Sequence, residues 1–400
     1  MNLLDKVGNS DSVILTPGTY KITIDGKTEQ YQVFKIDLSL LFYNDQNDRI
    51  ATQINKYTSE GNELPDNKEE FNDLIEDFIV RSNSGSIKET KDNIERTEQR
   101  IPGVVLNDGR VIDGNRRFTC LRQLHKTDPI RFNYFEAIIL KKDININKKQ
   151  IKLLELMIQH GEEQKVDYDP IDKLVGLYND VVKEKLISID EYIKSTNAKR
   201  SSVNDKIAEA NLMVEFLDYI NEHEKFYIAR DLNLDGPLME LVKILKKTPD
   251  DKIDDIKNAV FNILAVQKGG DLTRVVRRVN KIVAHPTQLE TFIEEQQNIG
   301  LKVQDIVLDT NNKNVISNLH ANEELKDEVI KSIDKAEQKS KLEELKDASV
   351  QQVIKARDDL KFINIDLLNK LNEEDMHKFL SYLDELTQII DKLKKETNAK

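Results

Sequence analysis

The stretch Asn107–His125, NDGRVIDGNRRFTCLRQLH, decides the fold, because a hairpin turn runs without a spacer into an arginine-rich helix start. Asn107, Asp108 and Gly109 supply the turn chemistry for a tight hairpin between the apolar runs Val104 to Leu106 and Val111 to Ile112. Asp113 and Gly114 then make a strand-to-helix corner, and Asn115 to His125 reads as a helix carrying Phe118, Leu121, Arg122 and Leu124. Such a corner exposes backbone N–H groups at a helix start. With Arg116 and Arg117 beside them, it is a plausible anion seat, set against the plainer reading of a turn glycine with surface arginines.

Working outward toward the N-terminus, Tyr20 to Ile24 and Tyr31 to Ile36 alternate β-formers around Asp25-Gly26 and predict an opening hairpin or two short strands. Asn44 to Arg49 reads as a polar loop. Glu69 to Val80 predicts an amphipathic helix, Ser82 to Ser86 ends it, and Lys88 to Arg100 reads as a charged connector. On the other side, Phe132 to Leu140 is a β-type run expected to pair back onto the same sheet. The fold class predicted is α+β, with residues 1–145 forming a mixed α/β domain.

Lys149 to Gln159 predicts a helix stopped at His160-Gly161. Asp169 as N-cap with Pro170 at the first helical position starts the next, and Ser188 with Glu191 makes a capping box for a short helix, Ile189 to Ser195. After Asn197-Ala198-Lys199 a longer helix runs from Arg200 to Phe216. Short capped helix, turn and longer helix match a helix-turn-helix within residues 146–223. Lys199, Arg200, Ser201, Ser202, Asn204 and Lys206 at its second helix are types that reach phosphates and base edges, with Asp205 among them.

Residues 224–300 read as a helical linker domain broken at Gly236-Pro237, Thr248-Pro249, Gly269-Gly270 and His285-Pro286. Residues 301–400 read as a C-terminal bundle or coiled-coil region of Lys/Glu-rich helices, Glu324 to Lys341, Leu342 to Leu360 and Glu373 to Lys395. Leu380, Leu383, Leu386, Ile389, Ile390 and Leu393 line one face of the last; packing within a bundle or self-association would cover it.

Composition bounds the function. The chain has 400 residues, 38% hydrophobic and 33% charged, enough for two or three domains with cores. Its net charge of −12 argues against wrapping nucleic acid over a large surface, though not against a local basic patch such as Lys199-Arg200 or Arg274, Arg277, Arg278 and Lys281. One cysteine, Cys120, excludes internal disulfides, and six scattered histidines lack metal-ligand spacing. The sequence carries neither a signal peptide nor an apolar run long enough for a bilayer, so a cytoplasmic location without membrane attachment is expected.

Three segments in order resemble the ParB family and the wider ParB/sulfiredoxin superfamily, over roughly residues 33 to 215. VFKIDLSLLFYNDQNDR is similar to the opening ParB box, with Asn44 and Arg49 at its asparagine and arginine. GNRRFTC, Gly114 to Cys120, resembles G-E-R-R-x-R-A with Asn115 in place of the glutamate. GEEQKVDYDPID resembles E-N-x-Q-R-x-x-L-x-P-I-E with Gln164, Lys165, Asp169, Pro170, Ile171 and Asp172 in register, and KRSSVNDKI is similar to the family's S-R-S-x-V stretch. The resemblance implies a nucleoside triphosphate, CTP or ATP with magnesium, held by Arg49, Gly114, Asn115, Arg116, Arg117, Gln164 and Lys165. It implies DNA as a partner of the helix-turn-helix.

The family's metal-associated glutamate falls on Gly161 and its asparagine on Glu162, so Glu162 or Glu163 is the candidate for catalysis and Glu162 for the metal. Sulfiredoxin's reactive cysteine falls on Asn115, which cannot act as a sulfur nucleophile. Two alternatives stand beside the binding protein: an enzyme on the same fold, a nucleoside triphosphatase, phosphoryl transferase or nuclease of a plasmid, phage or defence system; and an interaction scaffold with a vestigial pocket.

Overall fold

The computed structural model describes residues 2–24, 27–140, 148–160, 169–269, 271–309 and 314–398. Six strands, β1 (Val13–Ile24), β2 (Lys27–Asp37), β3 (Phe42–Tyr43), β4 (Gly103–Leu106), β5 (Arg110–Asp113) and β6 (Tyr134–Leu140), form one sheet in the order β1-β2-β6-β4-β5-β3. The β1/β2, β2/β6 and β4/β5 pairs are antiparallel, whereas β6/β4 and β5/β3 are parallel. The opening hairpin, the Asn107–Gly109 hairpin and the return of the 132–140 run to the same sheet are all as the sequence predicts.

Strand alternation splits the core in two. Val105, Val111, Phe135, Ala137 and Ile139 face helices Lys68–Ser82, Ser84–Thr97 and Asn115–His125, packing on Ile75, Phe78, Ile87 and Phe118. Val104, Leu106, Ile112, Ile138 and Leu140 face the other way, onto Ile151, Leu154 and Ile158 of helix Lys148–His160. A sheet covered on both faces needs apolar side chains at consecutive positions, which is why Val104-Val105-Leu106 and Ile138-Ile139-Leu140 read as unbroken runs.

The segment expected as a charged connector is a helix instead, Ser84–Thr97, started by the Asn83 side chain accepting from Ser86 N. Only Ile87 and Ile94, two turns apart, are buried along it, too sparse an apolar stripe to stand out among Lys and Glu.

Beyond residue 168 the protein is helical. Asp169 caps helix Pro170–Leu177 through Ile171 N, and both bonds of the Ser188/Glu191 capping box are formed. Helix Ile189–Thr196, a left-handed Asn197 and helix Arg200–Tyr219 follow in the predicted order. One apolar core then joins helices from Ile171 to Ala336, with Phe216, Phe261 and Phe292 fully buried in it. The breaks at Thr248-Pro249 and His285-Pro286 separate helices, with Pro286 opening Pro286–Val307, whereas Gly236-Pro237 lies in the first turn of Asp235–Leu245, where proline is tolerated.

The chain divides into two compact units, 1–337 and 338–400. Glu323–Lys361 is one helix where two were expected, because no glycine or proline stands near residue 341 to stop it. Among the described residues none past Ala336 is buried, and Leu380, Leu386, Ile389, Ile390 and Leu393 on helix Glu373–Asn398 are exposed. No helix among the described residues is long and apolar enough to cross a membrane.

Candidate functional site

Gly114 makes the corner that the sequence singles out. It sits in left-handed backbone (φ 93°) as N-cap of helix Asn115–His125, and its carbonyl accepts from Phe118 N at 2.9 Å. A Cβ there would lie 3.0 Å from Phe135 Cζ and 3.1 Å from Arg117 Nη2, so both conformation and space call for glycine. The helix start opens onto a cleft of about 680 Å³ whose lining includes Arg49, Gly114, Asn115, Arg116 and Arg117. A smaller cavity of about 230 Å³ shares Arg49, Asn115 and Arg116 and adds Asp169, Asp172 and Arg230.

Five of the seven expected ligand-binding residues therefore meet in one cleft, although 64 positions separate Arg49 from Asp113. The other two, Gln164 and Lys165, lie outside the described residues, as do Glu162 and Glu163. Asn44 is not in the cleft. It is buried behind it, its Nδ2 donating to Glu155 Oε2 at 3.3 Å. Asn47 takes its place at the rim and accepts from Arg49 N at 3.0 Å, holding the turn Asp48–Ile50 that carries Arg49.

The two arginines of the corner differ. Arg117 Nη2 is held by Asp113 Oδ2 at 3.0 Å and by the Pro102 carbonyl at 3.4 Å, which orients the guanidinium along the cleft wall. Arg116 lines both cavities. The Asn115 Oδ1 atom is buried without a hydrogen-bond partner among the described residues, as is Arg117 Nε. Cys120 is fully buried, and burial pushes its thiol up to about 12, as suits a packing residue rather than a nucleophile.

Tyr20, Arg100, Gln159 and Arg230 also line these cavities, and no local motif marks them. Gln159 Nε2 donates at 2.7 Å to Glu155, part of a buried cluster behind the cleft. There Lys152 pairs with Asp48 and, at 3.1 Å, with Asp180. Burial pushes the Glu155 and Asp180 carboxyls up, and the other carboxylates of the cluster add to this against the pull of Lys152. Gly176 lets helix Pro170–Leu177 pack directly on this turn, since a Cβ there would collide with the Asp48 carboxylate.

At the start of helix Arg200–Tyr219, Lys199, Arg200, Ser201, Ser202 and Asn204 are exposed. Arg200 pairs with Asp190, and Lys206 is engaged by Glu209 at 2.9 Å and Asp235 at 3.1 Å. Asp205 is drawn aside by Lys246 at 2.5 Å. Much of the second basic patch is paired internally: Arg277 meets Glu240 at 3.0 Å, Arg278 meets Asp334 and Glu337 at 2.5 and 2.7 Å, and Lys281 meets Glu337 at 3.4 Å. Among the described residues no group of three or more His, Cys, Asp or Glu is arranged to hold a metal.

No protein-family model matches this chain, and no curated protein does. Among solved structures, a Pnob8-like ParB-N domain in a C2221 crystal form is similar over 72% of this chain and 97% of its own length, at 13% identity and a TM-score of 0.24.

Proposed function

We propose that this chain is a ParB-like protein that binds a nucleoside triphosphate, CTP or ATP with magnesium, in the Arg49/Gly114/Arg116 cleft, and DNA through the start of helix Arg200–Tyr219. The observation that carries the first half is the convergence of residues from two separate ParB-like boxes on one cleft of about 680 Å³, at a helix start. Guanidinium groups and free N–H donors suit a triphosphate, and a cleft of that size accommodates a nucleotide. The DNA half rests on the exposed Lys199, Ser201, Ser202 and Asn204 beside Arg200. Assembly through the apolar face of helix Glu373–Asn398 completes the reading, since that face has no cover among the described residues. Catalysis is not part of the proposal.

Titrating the full chain calorimetrically with CTP, ATP and GTP in the presence of magnesium, beside Arg116→Ala, tests the cleft. Binding of one nucleotide that weakens in Arg116→Ala is expected; absence of binding for all three defeats the reading. Fluorescent-duplex binding across a salt series tests the DNA half, which fails if binding ignores both salt and Arg200→Ala.

A further inference from the structure

Arg230 belongs to none of the boxes and lies 181 positions from Arg49, yet both line the smaller cavity. Its helix, Phe226–Asp231, lies in the helical core, which continues through Leu234 and Leu238. Arg230 Nη1 donates to Thr52 Oγ1 at 2.9 Å and lies 3.4 Å from Asp172 Oδ2, while Nε donates to Asp169 Oδ2 at 3.2 Å.

Thr52 is the second residue of helix Ala51–Ser59, which directly follows the turn carrying Arg49. That helix has no side-chain cap of its own, since Ile50 stands at its N-cap. Its orphan Thr52 N–H donates instead to Asp172 Oδ1 at 3.1 Å, from 120 residues away. A buried carboxylate thus caps the helix behind Arg49, and the negative charge suits the positive end of the helix dipole. Burial pushes the Asp172 carboxyl up to about 7, and the Thr52 hydroxyl and Arg230 are among the groups that hold it down. Removing Arg230 takes away a cation 3.4 Å from this carboxylate and a donor to the Thr52 hydroxyl.

We infer that Arg230 is a positioning residue: by holding Thr52, Asp169 and Asp172 in one network, it sets the Arg49 turn in the cleft and couples cleft occupancy to helices Phe226–Asp231 and Asp235–Leu245 of the helical core. This rests on the nucleotide reading above. A second staple runs alongside, Asn55 Nδ2 donating to the Glu224 carbonyl at 2.8 Å, so the coupled helices are tied at two points.

The test uses the full chain, MgCTP and MgATP as probes, and three variants: Arg230→Ala, Arg230→Lys, and Thr52→Val, which deletes the hydroxyl acceptor but keeps the backbone cap. Arg230→Ala is expected to raise Kd about tenfold and Thr52→Val about threefold, within the usual range of coupling between sites. Arg230→Lys, which keeps charge but not the fork, is expected to fall between wild type and Arg230→Ala. Hydrogen exchange supplies a readout free of ligand: amides of helix Ala51–Ser59 lose protection in Arg230→Ala. On adding nucleotide, exchange in residues 226–245 slows in wild type and not in Arg230→Ala.

If wild type binds and the folded variants bind within twofold of it with unchanged exchange, the inference is overturned while the nucleotide reading survives. If Arg230→Ala does not fold, Thr52→Val and Arg230→Lys decide by the same criteria. If wild type binds neither probe, the nucleotide reading falls and the inference with it.

Discussion

Asn44 and Glu155, 111 residues apart, meet in the core, where Asn44 Nδ2 donates to Glu155 Oε2 at 3.3 Å. Glu155 is fully buried, and that burial pushes its carboxyl up to about 8. A raised acid stabilises the fold fully below its unfolded pKa and loses that contribution as pH rises through the folded value. Asp180, Asp172 and Glu209 are raised as well, mainly by burial, so all four act in the same direction. Lys152 is raised far above the range, so it stays charged and contributes a constant across this window. These four carboxyls should therefore lower stability from pH 5 to 8.5, by at most about 1.4 kcal/mol per pH unit for each proton released, against the opposite contribution of His320, whose pKa burial pushes down. Thermal melts of Glu155→Gln should show a flatter decline over that range; a slope equal to that of wild type would refute the assignment.

Arg122 is buried, and its Nε donates to Glu76 Oε2 at 2.8 Å, clamping helix Asn115–His125 to helix Lys68–Ser82. Its partners Glu69 and Asp73 are largely exposed, at 66% and 56%, and contribute little. Arg122→Ala leaves Glu76 buried opposite a gap, with the half-exposed Lys126 at 3.3 Å. A loss of about 3–5 kcal/mol is expected in urea melts. Arg122→Met combined with Glu76→Leu should recover most of it, because both charges then leave the core together.

What was legible in the sequence tracks the range of the forces involved. The Gly114 corner, the Asp169 and Ser188 caps and both hairpins are local, and each is set by residues within a few positions of one another. The Ser84–Thr97 helix was obscured because its buried stripe holds only Ile87 and Ile94. Asn44 matches the asparagine of the opening box, yet its bonds with Glu155 and Gln46 N, one of them to a residue 111 positions away, place it in the core. Arg230 and Gln159 carry no local signal at all; only the packing of distant helices brings them to the cavities.

Glu98 adopts φ 60° and ψ −177°, a region open almost only to glycine, at the rim of the cleft. The next residue fixes it there: Gln99 accepts from Glu136 N at 2.9 Å and donates to the Glu136 carbonyl at 2.7 Å, pairing its side chain with β6 as a strand would. Relieving the strain should outweigh the entropy that glycine loses on folding. Glu98→Gly is expected to gain about 1 kcal/mol, whereas Glu95→Gly inside the preceding helix should lose about as much. Equal losses for the two in parallel melts would mean that Glu98 is not strained.

On helix Glu373–Asn398, Met376, Phe379, Leu383, Leu386, Ile390 and Leu393 recur at alternating steps of three and four, the spacing of a coiled-coil seam. Leu386 and Ile390 remain 38% and 43% exposed. If a second copy covers the seam, sedimentation should give a dimer or larger species for wild type and a monomer for Leu386→Glu with Ile390→Glu. A monomeric wild type at tens of micromolar, or an unchanged mass in the variant, removes this seam from the assembly proposal.

Arg116 and Arg117 are neighbours with separable duties. Arg117 is braced by Asp113 at 3.0 Å and holds the Pro102 carbonyl, so it fastens the helix start to the strand before it as well as lining the cleft. Arg117→Ala should cost stability, about 1 kcal/mol for a half-buried pair, together with affinity. Arg116 lines both cavities, and its removal should weaken nucleotide binding by about tenfold or more, the worth of a charge-assisted hydrogen bond. The order of effects is the discriminating result. A triphosphate at this corner requires Arg116→Ala to hurt binding more than folding, and the reverse order would mean that both arginines serve the fold and that the anion sits elsewhere.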